Sequence, residues 1–174
     1  QEILSLMCPT SFIDNLMGVR WSKLLVNCSF SGLSAALGCT FGEILDNEHA
    51  LKCAQYIARE CIRVTDALGI EMAPMALGKT FKELMDFNTE EERIATLRIY
   101  HELWGAARSG KASMLQDIEM GRKCEIDAIN GILSKMGRKS GVLTPVNDKV
   151  VKIVKDIENK MLKPRIENVG MFMV

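Results

Sequence analysis

Surplus charge of either sign is missing from this chain: 22 lysines and arginines stand against 22 aspartates and glutamates. Nucleic acids and anionic membranes are held by basic faces, so the balance argues against both as partners. Long hydrophobic runs are missing too. The longest apolar stretches are broken by Asn27, Ser29 and Ser31, or by Arg and Lys, well short of the roughly 20 residues that span a bilayer. The segment Gln1 to Pro9 lacks the basic flank of a secretory signal. Together these features predict a soluble, cytoplasmic protein. The first residue is Gln rather than Met, which points to a fragment or a processed product.

Metal-ligand spacing is also lacking. The six cysteines (8, 28, 39, 53, 61 and 124) include no C-x-x-C pair and are accompanied by only two histidines, so no metal site is expected. Cys28, Cys53, Cys61 and Cys124 fall in helix-like apolar patterns, where a thiol behaves as a small hydrophobe. They read as reduced core residues rather than a disulfide framework. His49 and His101 lack a nearby nucleophile or orienting carboxylate, which argues against a catalytic histidine. No internal repeat, low-complexity linker or convincing alternating strand is present.

What is present is helical periodicity. A chain of 174 residues can build one domain with a real core and is short for two. Asp14 to Leu37 reads as one long helix stopped by Gly38. Asn47 caps a second, carried by His49, Ala54, Ile57, Cys61 and Val64 to Leu68 and ended by Gly69. Thr80 to Phe87 is a short helix. Thr89 opens another, its acids Glu90, Glu91 and Glu92 set against the helix dipole. Ser113 starts a long segment through Met114, Ile118, Ile126, Ile129 and Leu133, punctuated by Gly137 and Gly141. Thr144-Pro145 opens the last helix, which runs to Pro164, with the threonine hydroxyl as N-cap. The expected fold is all-α with about six helices, and loops near 38–47, 70–80, 108–112 and 138–144. Trp21, Tyr100 and Trp104 are expected in the core, and the eleven methionines fill its gaps.

Polarity is out of place on two segments. At about 100° per residue, Arg20, Lys23, Asn27, Ser31 and Ser34 share a stripe roughly 80° wide on an otherwise apolar helix. Such a stripe lines a cleft, or else it is the single exposed edge of a central helix. Ser113, Asp117, Gly121 and Glu125 follow i, i+4 steps on the other long segment. A mid-helix glycine there marks a close ligand or a helix–helix contact. If the two stripes face each other, an ammonium, a carboxylate and small neutral donors converge. That set suits a small carbonyl compound bearing a carboxylate.

These same residues carry a family resemblance. Trp21-Ser22-Lys23-Leu24-Leu25-Val26-Asn27, then Leu33-Ser34-Ala35 and Gly42-Glu43, resemble the W-x-K-L-x-x-N segment of ketopantoate reductases. Ser113-Met114-Leu115-Gln116-Asp117, Glu125-Ile126-Asp127-Ala128-Ile129-Asn130-Gly131 and Gly141-Val142-Leu143-Thr144-Pro145-Val146-Asn147 resemble three further blocks of that family in the same order. The resemblance implies a helical C-terminal domain similar to that of 6-phosphogluconate dehydrogenase. It implies reduction of the 2-oxo acid ketopantoate to pantoate with NADPH. No G-x-G-x-x-G is present, so NADP(H) is expected to bind mainly to a Rossmann domain outside this chain. Residues 1–12 then read as the tail of that domain or a linker, and 13–174 as the substrate domain.

Residue by residue, the resemblance implies that Lys23 is the catalytic proton donor and that Asn27 hydrogen-bonds the substrate. Ser113 holds the substrate's carboxylate end, and Glu125 lies at the nicotinamide side. Ser31 stands where many members have a second asparagine on the substrate side, and Phe41 where some have another. These departures leave open a different branched 2-oxo acid as substrate. A non-enzymatic reading also stands: a helical dimerisation module with a decayed site, packing on a second copy through the apolar end Gly170 to Val174. Retention of Lys23, Asn27, Ser113 and Glu125 argues against it.

Overall fold

A computed structural model describes residues 6–8 and 13–174; the expected remnant or linker at 1–12 lies largely outside them. Among the described residues there are nine α-helices and no strand beyond an isolated bridge between Ala76 and Lys79. None of the helices is long and apolar enough to cross a membrane. The helices are α1 (Leu16–Val26), α2 (Gly32–Leu37), α3 (Phe41–Asp46), α4 (Glu48–Ala67), α5 (Phe81–Met85), α6 (Glu90–Trp104), α7 (Ser113–Glu119), α8 (Asn130–Ser140) and α9 (Pro145–Glu158).

Local capping explains most of the starts. The Asn47 side chain accepts from the Ala50 N–H, and Thr80 and Thr89 each close a capping box with a glutamate three residues on. Thr40 does the same with Glu43 and creates α3, a helix inside the stretch expected to be a loop. Gly38, Gly69 and Gly141 all have positive φ and stop their helices as expected.

Three expectations give way. The rod from Leu16 to Leu37 is not uniform: Asn27–Ser31 forms a π turn between α1 and α2. The segment opened by Ser113 breaks into α7 and α8. Gly121, with φ of 69°, turns left-handed after α7, and the N–H groups of Gly121 and Arg122 close back on the carbonyls of Ile118 and Asp117. Gly121 is thus a helix stop, and Cys124 and Glu125 sit in the following turn rather than in a helix. Finally, Thr144 makes no side-chain cap bond, and the last helix ends at Glu158, short of Pro164.

The core is built around α4, whose apolar face holds Ala54, Ile57, Ala58, Cys61 and Val64 fully buried. Trp21, Tyr100 and Trp104 are buried as expected, and Phe30 stacks on Trp104 with ring centroids 4.2 Å apart. Phe172 also packs into this core, which leaves Met171 and Met173 of the apolar end exposed. Cys28, Cys39, Cys53 and Cys61 are buried thiols without disulfides. Burial pushes Cys39 and Cys53 up to about 12, which makes them poor nucleophiles.

Inside this core runs a polar chain. Glu60 of α4 accepts hydrogen bonds from the Val146 N–H at 2.8 Å, the Asn147 N–H at 2.9 Å and the Asn147 Nδ2 at 2.7 Å. It therefore caps α9 from another helix, satisfying first-turn donors that Thr144 leaves open. Asn147 Oδ1 accepts from Asn130 Nδ2 at 2.9 Å, and the same amide donates to the Cys28 carbonyl at 3.1 Å. Burial pushes the Glu60 carboxyl up to about 7, against the three N–H donors that favour its charge.

A folded-state value above the unfolded 4.5 means that the native protein holds this proton more tightly. The stability it contributes is full below about 4.5 and is lost as pH rises through about 7. The displacement corresponds to roughly 3 kcal/mol over that window. Glu60→Gln turns an NH₂ group toward N–H donors and should lower stability by about 1–3 kcal/mol. It should also flatten the decline in stability that urea unfolding of the wild type is expected to show between pH 5 and 7. An unchanged pH slope in the variant would remove Glu60 as its source.

Candidate functional site

Lys23 and Asn27 lie one turn apart at the end of α1, Lys23 exposed and Asn27 half-buried. Ser31, also half-buried, ends the π turn. A π turn takes in one residue more than an α turn and rotates the helix beyond it by roughly 100°. The expected stripe therefore does not continue to its last member. Ser34 is fully buried, and its hydroxyl donates to the Cys39 carbonyl at 2.6 Å. Arg20, at the other end, is exposed.

The π turn is held from outside. Asn130, the first residue of α8, donates to the Cys28 carbonyl within it. Gly32 leaves room for this approach: a Cβ there would fall 2.4 Å from Asn130 Oδ1 and 2.8 Å from Val150 Cγ1. The Ser29 hydroxyl donates back to the carbonyls of Leu25 and Val26. Side-chain insertion against the ladder is a known cause of such local unwinding.

Ser113 is the exposed first residue of α7, which packs on the π turn and α2 through the buried Met114 and Leu115. The loop before it is pinned, because the N–H groups of Phe41 and Gly42 in the first turn of α3 donate to the carbonyls of Gly110 and Arg108 at 3.0 and 2.8 Å. Phe41 meets Phe30 edge to face at 5.8 Å, so this ring belongs to the aromatic cluster behind the π turn. Asp117 pairs with Arg122 at 2.6 Å.

Glu125 is exposed in a turn whose carbonyl accepts from the N–H groups of Ala128 and Ile129. Three residues on, Ala128 shares a cavity of about 370 Å³ with Arg20 and Leu24, so this turn lies against the flank of α1. The i, i+4 helical stripe expected for Ser113, Asp117, Gly121 and Glu125 does not exist. Ser113 and Glu125 lie instead on two separate segments, one packed on the π turn and α2 and the other against α1. No hydrogen bond or ion pair joins any two of Lys23, Asn27, Ser31, Ser113 and Glu125. Lys23 is exposed and pairs with no acid among the described residues.

The family model for the ketopantoate reductase PanE/ApbA C terminal matches residues 15–158. This chain belongs to that family. Among curated relatives, the 2-dehydropantoate 2-reductase of Pyrobaculum aerophilum is 30% identical over 147 residues, covering 84% of this chain and 46% of the relative. That of Archaeoglobus fulgidus is 26% identical, covering 80% and 40%. The chain therefore spans less than half the length of these reductases. Among solved structures, the family member from Ralstonia eutropha JMP134 superposes with a TM-score of 0.71 at 24% identity, covering 87% of this chain and 44% of that one, a likeness of fold. A D-mandelate dehydrogenase solved with NADH and anilino(oxo)acetate gives 0.67 at 25% identity, covering 87% and 44%.

The family blocks noted in the sequence thus include residues with structural work to do. Asn130 and Asn147 close the last two blocks, and both are buried in the chain that starts at Glu60. Sequence reasoning missed this role; the signal available was two asparagines and a glutamate at otherwise apolar helical positions. Gly32→Ala should displace Asn130 from the π turn and cost about 1–3 kcal/mol, read by denaturant unfolding. A fully stable Gly32→Ala with unchanged Asn130 side-chain amide resonances would mean that the close approach is not required.

Proposed function

We propose that this chain is the substrate-side half of an NADPH-dependent 2-oxo acid reductase, with 2-dehydropantoate as the favoured substrate. The observation that carries the proposal is the exposed Lys23 one turn from the half-buried Asn27 that opens the π turn, with the Ser113 helix and the Glu125 turn packed on the same rod. An ammonium and an amide one turn apart suit a carbonyl oxygen and a neighbouring hydroxyl. Ser113, exposed at the start of α7, would hold the carboxylate end. Ser31 would border the substrate where a longer amide is common in the family.

The donor set fits only part of NADP(H). Glu125 offers one carboxylate to the nicotinamide end, while the described residues contain no βαβ turn to cradle the phosphates. We assign the body of the cofactor to a nucleotide-binding domain joined to this chain, with residues 1–12 leading from it. Bound there, the nicotinamide supplies the hydride. Lys23 Nζ would hydrogen-bond the substrate's carbonyl oxygen, stabilise the alkoxide as negative charge develops and donate its proton to give the 2-hydroxy acid. The exposure of Lys23 in this chain is consistent with a site completed from outside, since docking a second domain would desolvate the ammonium. On this reading the isolated chain has no reductase activity.

In the protein joining this chain to its nucleotide-binding domain, Lys23→Ala should lower turnover by about 100-fold or more with little change in cofactor affinity. Steady-state kinetics and nucleotide titration separate the two, and near-normal turnover would remove Lys23 from the chemistry. A panel of 2-oxo acids tests the substrate. Ketopantoate should have the highest kcat/KM, whereas a higher value for another branched 2-oxo acid would trace to Ser31 and Phe41 and replace the favoured substrate.

A further inference from the structure

A cavity of about 510 Å³ opens between α4, the start of α9 and the chain end, lined by none of the residues proposed for reduction. That size suits a small organic ligand. Its one uncommitted side-chain charge is Arg59. This guanidinium has no hydrogen-bond or ion-pair partner among the described residues, and its Nε is buried without an acceptor. It lies over two rings, 5.0 Å from the Phe87 centroid and 6.0 Å from that of Tyr56, which fixes its plane. The cavity's other charged side chains are already engaged. Arg63 bonds Asn88 and pairs with Asp86, and Glu60 accepts from the first turn of α9, so neither that carboxylate nor those N–H groups are available.

The remaining wall is apolar. Leu143 and Met173 stand at the rim, 87% and 94% exposed, with Tyr56 and Val146 further in. Two large apolar side chains left in water beside an unpaired, buried guanidinium Nε describe a site with both of its halves unsatisfied. A planar oxyanion would take the guanidinium fork bidentately, and a short hydrocarbon body would cover the rim. One free positive charge matches one negative charge.

We propose that this cavity binds a small monocarboxylate with a branched or otherwise apolar body, its carboxylate held by Arg59. The proposal is independent of the reductase reading and can be tested on this chain alone.

The experiment is an NMR titration of the chain with isovalerate, following the Arg59 Nε–H and the Val146 amide, with isovaleramide and inorganic phosphate as parallel probes. Isovalerate should shift both resonances saturably, and the neutral amide should not. Arg59→Met, which keeps the apolar stem over the rings, should abolish the shift at Val146. Leu143→Glu, placed on an exposed rim where folding is insensitive, should weaken binding by about tenfold or more through like charge. Saturable binding of isovaleramide, tighter binding of phosphate, no response to isovalerate, or isovalerate binding unaltered in Leu143→Glu would each overturn the proposal.

Discussion

Four elements of this fold meet at one buried run of hydrogen bonds. Glu60 on α4 caps α9, Asn147 in the first turn of α9 bonds Asn130 at the start of α8, and Asn130 bonds the Cys28 carbonyl in the π turn. Each group is buried, so each bond has no water to replace it, and losing one leaves a desolvated donor or acceptor behind. A purely apolar core would bring the same helices together without fixing their depth or rotation. This chain sets both, because Gly32 and Asn130 approach within a distance that a single methyl group would close.

The π turn is the local consequence. It lies between Lys23 and the buried Ser34, and it decides which polar side chains of the rod face outward. Lys23 precedes the change of register and Asn27 opens it, one turn on. Ser34 follows it and turns inward to the Cys39 carbonyl. Behind the turn, Phe30 stacks on Trp104 and meets Phe41, so the Phe41 ring is used here for packing. On the proposed function, the substrate face would then be built from fewer amides, with Ser31 the nearer determinant of what fits.

Helix starts and stops were legible in the sequence because their causes lie within four residues. Asn47, Thr80 and Thr89 cap as their positions suggest, and Gly38, Gly69 and Gly141 take the left-handed conformation that ends a helix. The break after α7 was legible only in part. Gly121 stood out, but an i, i+4 pattern on both sides of it read as one continuous face. The π turn and the cap on α9 were not legible, since their partners lie 86 to 102 residues away along the chain. In α4, Glu60 occupies a position flanked by Ile57 and Cys61, where periodicity registers only a polar interruption. Thr144 looked sufficient as a cap until the competing carboxylate was in view. The five proposed site residues came from resemblance, and no local pattern encodes whether tertiary packing brings them together.

The exposed state of Lys23 follows from the same economy of burial. An unpaired ammonium sunk into this core would cost several kcal/mol, with no acid nearby to offset it. Left at the surface, it costs nothing in this helical domain, and on the proposed function it would become reactive only when a second surface and a substrate arrive together. A reductase divided between two domains can in this way keep its charged machinery from destabilising either half. On the same proposal, desolvation of the proton donor would be tied to the event that delivers hydride. The buried polar chain then serves that arrangement at a distance, holding the rod in the rotation that keeps Lys23 and Asn27 turned outward.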